Sequence, residues 1–583
     1  MEASVFGNKQ TVAEQLVALL VQAGVRRVYG IVGDSLNAFS DAIRRNDDID
    51  WVHVHNEEAA AFAASAEAQL TGELAVCAGS CGPGNTHLIQ GVFDAHRMGA
   101  PVLAIASHIA STEIGTGFFQ ETDPKRLFEQ ASHWVEMLSV PQQMPRMARI
   151  GIQHAVGLRG AAVLVVPGDV LAAKTDNDLG TGHYATGRVL GAPPPAVIDE
   201  LAERINRAEK VAIFGGIGCA GSRDEVLQLA AAVNAPVGHS LRGKETLQYD
   251  NPYDVGMSGL LGYGACYDAC HEADLLLMFG TDFPYRQFLP QKNTIQVDID
   301  PSRIGRRTPL ELGVVGDVGA TIRALLPKLQ PKGREFLDRM LHKHGEKLDH
   351  VVNAYTHGVE DMTPMHPEYV AAVLDDEAAD DAVFTADTGM CSSWAARYVT
   401  MNGRRRLLGS WVHGSMANAL PHAIGAQLVD RRRQVVAMSG DGGLAMLLGE
   451  LLTVRTHQLP VKVVVFNNSS LAMVRLEMMV SGDPAFETDH DQVDFAAIAR
   501  AMGFFTVRVE KPADLRGALR SVLDHDGPAL LDVVTDPAAL EIPPHITKEE
   551  MTGFALSVGL TVLSGGVGQM AHVARANLRN IPR

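Results

Sequence analysis

The segment VVAMSGDGGLAMLLGELLTVRTHQLPVKVVVFNNSS, from Val435 to Ser470, decides the fold. It holds two apolar runs, VVAMS and VKVVVF, with enough chain between them for one helix. Uninterrupted apolar runs capped by small polar residues predict strands of a parallel sheet covered on both faces. The first run ends in Gly440-Asp441-Gly442 and the second in Asn467-Asn468. Ligands of such sheets bind beyond the carboxyl ends of the strands, which puts a carboxylate and an amide at one ligand site.

The same rhythm runs along the chain, in RRVYGIVG, ELAVCAGS, PVLAIAS, AAVLVVPGD, KVAIFGG, DLLLMFGTD, TIQVDID, AVFTADTG and PALLDVVTD. Strand then helix, repeated, predicts doubly wound α/β units. A polar stretch rich in Gly and Pro at 172–198 and a charged, helical one at 328–367 read as connections. They divide the chain into three parallel-sheet domains, 1–180, 190–340 and 360–540, followed by a short helical tail over 541–583.

Composition excludes more than it identifies. The 583 residues exceed a single core. A net charge of −18 opposes a nucleic-acid surface, which needs a clustered basic face. The C-x3-C spacings of Cys77/Cys81 and Cys266/Cys270 lack a second close ligand pair for zinc, so reduced, structural thiols of a cytosolic protein are expected. Neither a secretory leader nor a bilayer-spanning run of about 20 apolar residues is evident.

Asp441 and Asn468 offer hard oxygens that suit Mg²⁺, and a backbone carbonyl just beyond Asn468 offers a third. The metal would bridge to a diphosphate, which the glycines allow to approach. Alone, GDG is a tight turn that recurs by chance. Paired with NN after 24 intervening residues, it matches the thiamine-diphosphate motif. That cofactor needs a carboxylate against its aminopyrimidine N1′, so that its own 4′ nitrogen can act as a base. Glu57, in WVHVHNEEAAAF, follows a strand and opens an Ala-rich helix; taken alone it is an acid favoured by the helix dipole.

With these residues the chain resembles the bacterial FAD- and thiamine-diphosphate-dependent pyruvate oxidases, and among them the quinone-linked branch. The resemblance runs from Lys9 to Pro544 through VYGIVGDSLN, GELAVCAGSCGPGN, GFFQET, LRGKE, YDNPYDVGM, GTDFPYRQF, HGSMANALPHAIGA, GDGG and FNNSS. It implies oxidative decarboxylation of pyruvate to acetate, with electrons passed through FAD to a membrane quinone, ubiquinone or menaquinone. It also implies a site shared between chains, hence at least a dimer and commonly a homotetramer. A phosphate-consuming pyruvate oxidase and acetolactate synthase are the alternatives within the class. A non-catalytic nucleotide-binding regulator is the alternative outside it.

Carried over by position, Glu57 is the N1′ partner, and Asp441, Asn468 and the Ser470 carbonyl are the Mg²⁺ ligands. Gly414, Ser415, Gly442, Gly443, Ser469, Ser470, Leu471, Ala472, Met473 and Val474 line the diphosphate and thiazolium, with Met416 as the apolar wedge beneath the cofactor. Phe119, Gln120 and Glu477 face the substrate. Met257, Ser258, Gly259 and Leu260, then Gly280, Thr281, Asp282, Phe283 and Pro284, and finally Asp298, contact FAD. FAD rests on the resemblance, because FGGIGCAG at 214–221 only imitates the dinucleotide fingerprint.

Two departures bear on the substrate pocket. Asn56 stands where the family often has histidine, and Met473 where it often has an aromatic residue. In the tail, Val573, Leu578 and Ile581 with Arg575, Arg579 and Arg583 read as a weak basic interfacial helix, which would hold the protein peripherally at the cytoplasmic face of the membrane. A packed terminal helix is the alternative.

Overall fold

The structure, a computed structural model, describes residues 9–180, 182–185, 191–539, 548–563 and 567–579. The first unit is a six-stranded parallel sheet of β1 (Arg27–Gly30), β2 (Asp50–His53), β3 (Ala75–Gly79), β4 (Val102–His108), β5 (Trp134–Met137) and β6 (Ala161–Pro167), in the order β2-β1-β3-β4-β6-β5. The second unit contains β7 (Val211–Gly215), β8 (Val237–His239), β9 (Asp254–Met257), β10 (Tyr263–Gly264), β11 (Leu275–Phe279), β12 (Thr294–Asp298) and β13 (Leu312–Val315). Its order is β10-β9-β8-β7-β11-β12-β13, parallel except for the edge strand β10.

The third unit is again parallel, with β14 (Val383–Ala386), β15 (Arg406–Gly409), β16 (Val435–Gly440), β17 (Lys462–Asn467), β18 (Phe505–Val509) and β19 (Ala529–Val534) in the order β15-β14-β16-β17-β19-β18. These are the three doubly wound domains that the apolar runs predict. The central strands are buried along their length, which is why they read as unbroken apolar runs.

The first and third units share one hydrophobic core. Helix α1 (Glu57–Thr71) carries mostly alanine on its buried surface, and α2 (Pro83–Met98) packs beside it. Alanine keeps the surface of α1 low, so α3 (Ala419–Val429) of the third unit approaches it backbone to backbone. A Cβ on Gly425 would lie 2.1 Å from the carbonyl oxygen of Ala63.

Two stretches differ from the sequence reading. Within the polar segment 172–198, Lys174–Thr175 pairs antiparallel with Gln10–Thr11, anchored by buried Thr175 and by a bond from Gln15 to the Asn177 carbonyl. A two-residue pair fixed by distant chain leaves no periodic signal. The tail also departs from the expected stripe. After α4 (Asp441–Met446), α5 (Glu450–Thr456) and α6 (Ala472–Ser481), the chain ends in α7 (Lys548–Leu563) and α8 (Val567–Ala576).

On α8, Val573 is buried against Ala538 and Ala576 instead of facing outward. Arg579 donates to the carbonyls of Ala354, His357 and Gly358. Leu578 and Arg575 are exposed, and Ile581 and Arg583 lie outside the described residues. The packed-helix alternative therefore describes α8. Besides Leu578, the exposed large apolar side chains among the described residues of the tail are on α7, namely Met551, Leu556, Leu560 and Val562. Helix α7 lies on α6, with Gly553 so close that a Cβ would sit 2.0 Å from the Val480 carbonyl oxygen. Among the described residues no helix is long and apolar enough to cross a membrane.

Candidate active site

In the third unit the strand order reverses between β14 and β16, and a crevice opens at their carboxyl ends, the place where open α/β sheets bind ligands. The residues that end the strands converge there: Asp387 after β14, Asp441 after β16 and Asn468 after β17. They line a solvent-open cleft together with Met416, Gly440, Gly442, Gly443 and the segment Ser470 to Val474.

Asp441 is almost fully buried, and burial pushes its carboxyl upward. Its Oδ1 accepts the Gly442 N–H at 2.8 Å and its Oδ2 the Ser469 N–H at 2.5 Å. Ser469 has φ +54°, a left-handed turn that folds Asn468–Ser470 back toward Asp441. The Asn468 Oδ1 accepts the Ser470 N–H at 3.0 Å. Asp441, Asn468 and Ser470 all line the cleft, and oxygens of this kind with one formal charge among them suit a hard dication completed by phosphate oxygens. Among the described residues no cluster of three His, Cys, Asp or Glu competes for a metal.

The glycines of the turn are there for space. A Cβ on Gly443 would lie 2.4 Å from Asp387 Oδ2, and one on Gly442 would lie 3.0 Å from Leu471 and 3.6 Å from the Met416 methyl. Met416 therefore sits directly beside the GDG turn. Gly414 and Ser415 adjoin the cleft through the same segment, without lining it.

Sequence reading missed Asp387, which is fully enclosed and whose carboxyl burial raises to about 7; its Oδ1 accepts the Ala419 N–H at 2.9 Å. The signal was present in AVFTADTG, an acid just past an apolar strand, the same pattern as in SGDG. His490, with Nε2 3.6 Å from Asp441 Oδ1, was also missed, and no sequence signal marks it.

Glu57, Phe119, Gln120 and Glu477 do not line this cleft. Glu57 is the first residue of α1, after Asn56, whose side chain caps the helix through the Glu58 N–H at 2.9 Å. The Glu57 carboxylate is 5% exposed, with Oε2 3.2 Å from His87 Nδ1. A Cβ on Gly84 would meet its Oε1 at 3.1 Å. The loop before α1 is tied to the third unit, where Glu450 Oε1 accepts the His55 N–H at 3.1 Å.

Phe119 is 77% exposed on a loop that one carboxylate organises. Glu121 accepts the N–H groups of Gly115 at 2.5 Å, Gly117 at 2.7 Å and Phe118 at 3.2 Å, and these bonds hold its carboxyl below the usual range. Gln120 has φ +65° and accepts a bond from the Cys81 thiol at 3.4 Å.

In the second unit, the segments read as flavin contacts all stand at carboxyl strand ends: Met257–Leu260 after β9, Gly280–Pro284 after β11 and Asp298 at the end of β12. The order reverses between β7 and β11, and there the backbone is stripped of side chains. A Cβ on Gly216 would lie 2.6 Å from the Gly280 carbonyl oxygen, and one on Gly218 2.6 Å from Gly280 Cα. Ser258 Oγ is buried with no hydrogen-bond partner among the described residues. Asp282 is clamped by Arg306 at 2.9 Å and Arg307 at 2.8 Å. Asp298 is buried and accepts the Asp300 N–H at 2.9 Å. Close-packed glycines at the point where the strand order reverses, a buried hydroxyl without a hydrogen-bond partner among the described residues and a strand-end acid fit a dinucleotide site. Burial, and after it the charge of Glu477, pushes the Tyr285 phenol upward.

Residues 10–127 match the family model for the thiamine pyrophosphate enzyme N-terminal TPP binding domain, 198–325 the central domain and 387–533 the C-terminal TPP binding domain. The chain is 35% identical to the putative thiamine pyrophosphate-containing protein YdaP of Bacillus subtilis (strain 168), over 94% of this chain and 95% of that one. It is 29% identical to the acetolactate synthase isozyme 2 large subunit of Escherichia coli (strain K12), over 92% and 98% of the two chains. It is 28% identical to the pyruvate oxidase of Lactiplantibacillus plantarum, over 89% and 87%.

Proposed function

The chain belongs to the thiamine pyrophosphate enzyme family, and from that premise we propose that it is a pyruvate:quinone oxidoreductase, converting pyruvate to acetate and CO₂ and passing electrons through FAD to a membrane quinone. The observation that carries this reading is the cleft lined by Asp441, Asn468 and Ser470 in the third unit, joined in one chain to a central unit whose strand ends bear close-packed glycines, a buried Ser258 hydroxyl and Asp298. When bound, thiamine diphosphate supplies the electron sink for loss of CO₂, and FAD accepts the electron pair.

The chain's own residues then have definite tasks. Asp441, Asn468 and the Ser470 carbonyl hold Mg²⁺. Gly414, Ser415, Gly442, Gly443 and the Ser469–Val474 segment receive the diphosphate and thiazolium, and Met416 packs beneath them. Glu57 holds a proton at the aminopyrimidine N1′. Glu57 is not among the residues lining the cleft of its own chain, and by resemblance it serves the cofactor of a second copy, which makes the active protein at least a dimer; a tetramer is adopted on the same ground. Phe119, Gln120 and Glu477 shape the substrate side, while Met257–Leu260, Gly280–Pro284 and Asp298 hold FAD. The exposed apolar residues of α7 support peripheral contact with the membrane that carries the quinone.

Anaerobic mixing with pyruvate tests the reading. Flavin absorbance should bleach and return on adding a menaquinone analogue, with acetate as product. Formation of acetyl phosphate or acetolactate instead overturns it. Glu57→Gln should lower turnover by roughly 10²–10⁴-fold, the range for a lost acid–base group.

A further inference from the structure

The turn from Gly414 to Asn418 carries Met416 into the cofactor cleft, and its backbone is held against its preference. Gly414 has φ +78° and Ala417 has φ +64°, a region that an alanine enters only against a steric penalty. Something must hold it there.

The brace is a line of buried polar groups that begins in the other domain. Asn418 Nδ2 donates to the Ser415 carbonyl across the turn at 2.7 Å. With the amide so oriented, Asn418 Oδ1 accepts from His422 Nδ1 at 3.0 Å, one helical turn along α3. The other ring nitrogen, His422 Nε2, lies 3.4 Å from Asp94 Oδ2 on α2 of the first unit, a close charge-to-ring approach without a hydrogen bond between them. Ser65 of α1 donates to the same carboxylate oxygen at 3.1 Å. Asp94, Asn418 and His422 are all 0% exposed. A second arm leaves α2 four residues earlier: Gln90 Nε2 donates to Ser415 Oγ at 3.0 Å.

Two domains could be docked more cheaply by apolar side chains, because a buried carboxylate and imidazole must first lose their water. Asp94 Oδ1 moreover has no hydrogen-bond partner among the described residues. Polar groups kept at such cost specify geometry. What this line ends on is the strained turn.

We propose that Asp94 and His422 are positioning residues, which act through Asn418 to lock the Gly414–Asn418 turn in the form that admits thiamine diphosphate. This rests on the cofactor assignment made above. The first unit thereby sets the cofactor affinity of the third unit of the same chain, separately from any residue that touches the cofactor.

The test compares cofactor binding, read as the Kd for thiamine diphosphate with Mg²⁺ by titration calorimetry, with the melting of the apoprotein. Asp94→Asn combined with His422→Leu removes the link without leaving a buried charge unpaired. It should melt near the parent and bind the cofactor about tenfold more weakly, the factor by which a left-handed alanine is disfavoured. Asn418→Ala should weaken binding similarly with the pair intact. Adding Ala417→Gly to either variant should restore most of the affinity, since glycine takes φ +64° without a Cβ penalty. Parent-like Kd in both variants overturns the proposal, as does a loss that Ala417→Gly fails to restore, which would make the pair a domain-docking contact only. A parent chain that does not bind thiamine diphosphate overturns the cofactor assignment and this inference together.

Discussion

Replacing Glu450 by glutamine isolates one charge at the seam between the first and third domains. Glu450 is 1% exposed. Its Oε1 accepts the His55 N–H at 3.1 Å, and its Oε2 accepts the Thr453 hydroxyl at 2.6 Å. Burial first, with the charge of neighbouring Glu57 adding to it, raises its carboxyl from 4.5 to about 7 against the opposing bonds from Thr453, His55 and Asn56. That is about 2.5 units at about 1.4 kcal/mol each, so an ionised Glu450 costs the folded state on the order of 3 kcal/mol.

The sign follows from proton counting. Between pH 4.5 and about 7 the folded chain keeps a proton that the unfolded chain has lost, so this contribution to stability falls as pH rises through that window and is flat on either side. Glutamine keeps an acceptor for His55 but does not titrate. Urea unfolding of parent and Glu450→Gln at pH 5 and pH 8 gives the quantity directly, because every other titrating group cancels in the difference. The parent should lose about 2–3 kcal/mol more than the variant over that interval. Urea midpoints that shift in parallel would refute the reasoning. The same measurement on a Glu57→Gln background should give a smaller gap, since one of the charges raising Glu450 is gone.

Gly425→Ala sets two effects against each other: alanine favours the helix by about 1 kcal/mol, but its Cβ would strike the Ala63 backbone oxygen at 2.1 Å. Overpacking of this kind costs about 1–3 kcal/mol or more, so the urea midpoint should fall; a rise would mean that α1 and α3 are not this close. Glu121→Gln should weaken the three backbone bonds that shape the Phe119 loop, raising the KM for pyruvate and the rate of proteolytic cleavage within residues 111–123 while leaving thiamine diphosphate affinity unchanged; kinetics and limited proteolysis check it, and no change in either counts against the loop's role. Removal of α7 and α8 should abolish flotation with anionic lipid vesicles, and equal flotation of full-length and shortened chains would discard the membrane assignment.

The parts of this molecule legible in its sequence are those that obey a local rule. Parallel strands buried on both faces are unbroken apolar runs, and the residue that ends each run stands at the ligand side, so Asp441 and Asn468 could be placed beside one another before any coordinates. Glu57 could be placed at a helix start for the same reason. The Lys174–Thr175 strand could not, since two residues have no period. The tail misled for a physical reason: Val573, Leu578 and the arginines have the spacing of an amphipathic face, but spacing does not say whether that face meets lipid or the rest of the protein.

The seam between the first and third domains lay beyond sequence reading altogether, and it is where the costly groups collect. Glu450, Asp94 and His422 are all within 1% of full burial, and each finds its partner more than 300 residues away across the seam. On its own helix Asp94 reads as an ordinary polar position, and Glu450 as an acid in a first turn. Burying a charged group is expensive unless it is paired, and apolar residues would hold two domains together without that expense. A contact whose only task was adhesion would have no use for them. Their lines lead instead to the His55–Asn56 backbone that precedes Glu57 and to the Ser415 turn that precedes Met416, which makes the seam the framework that registers the two halves of the site.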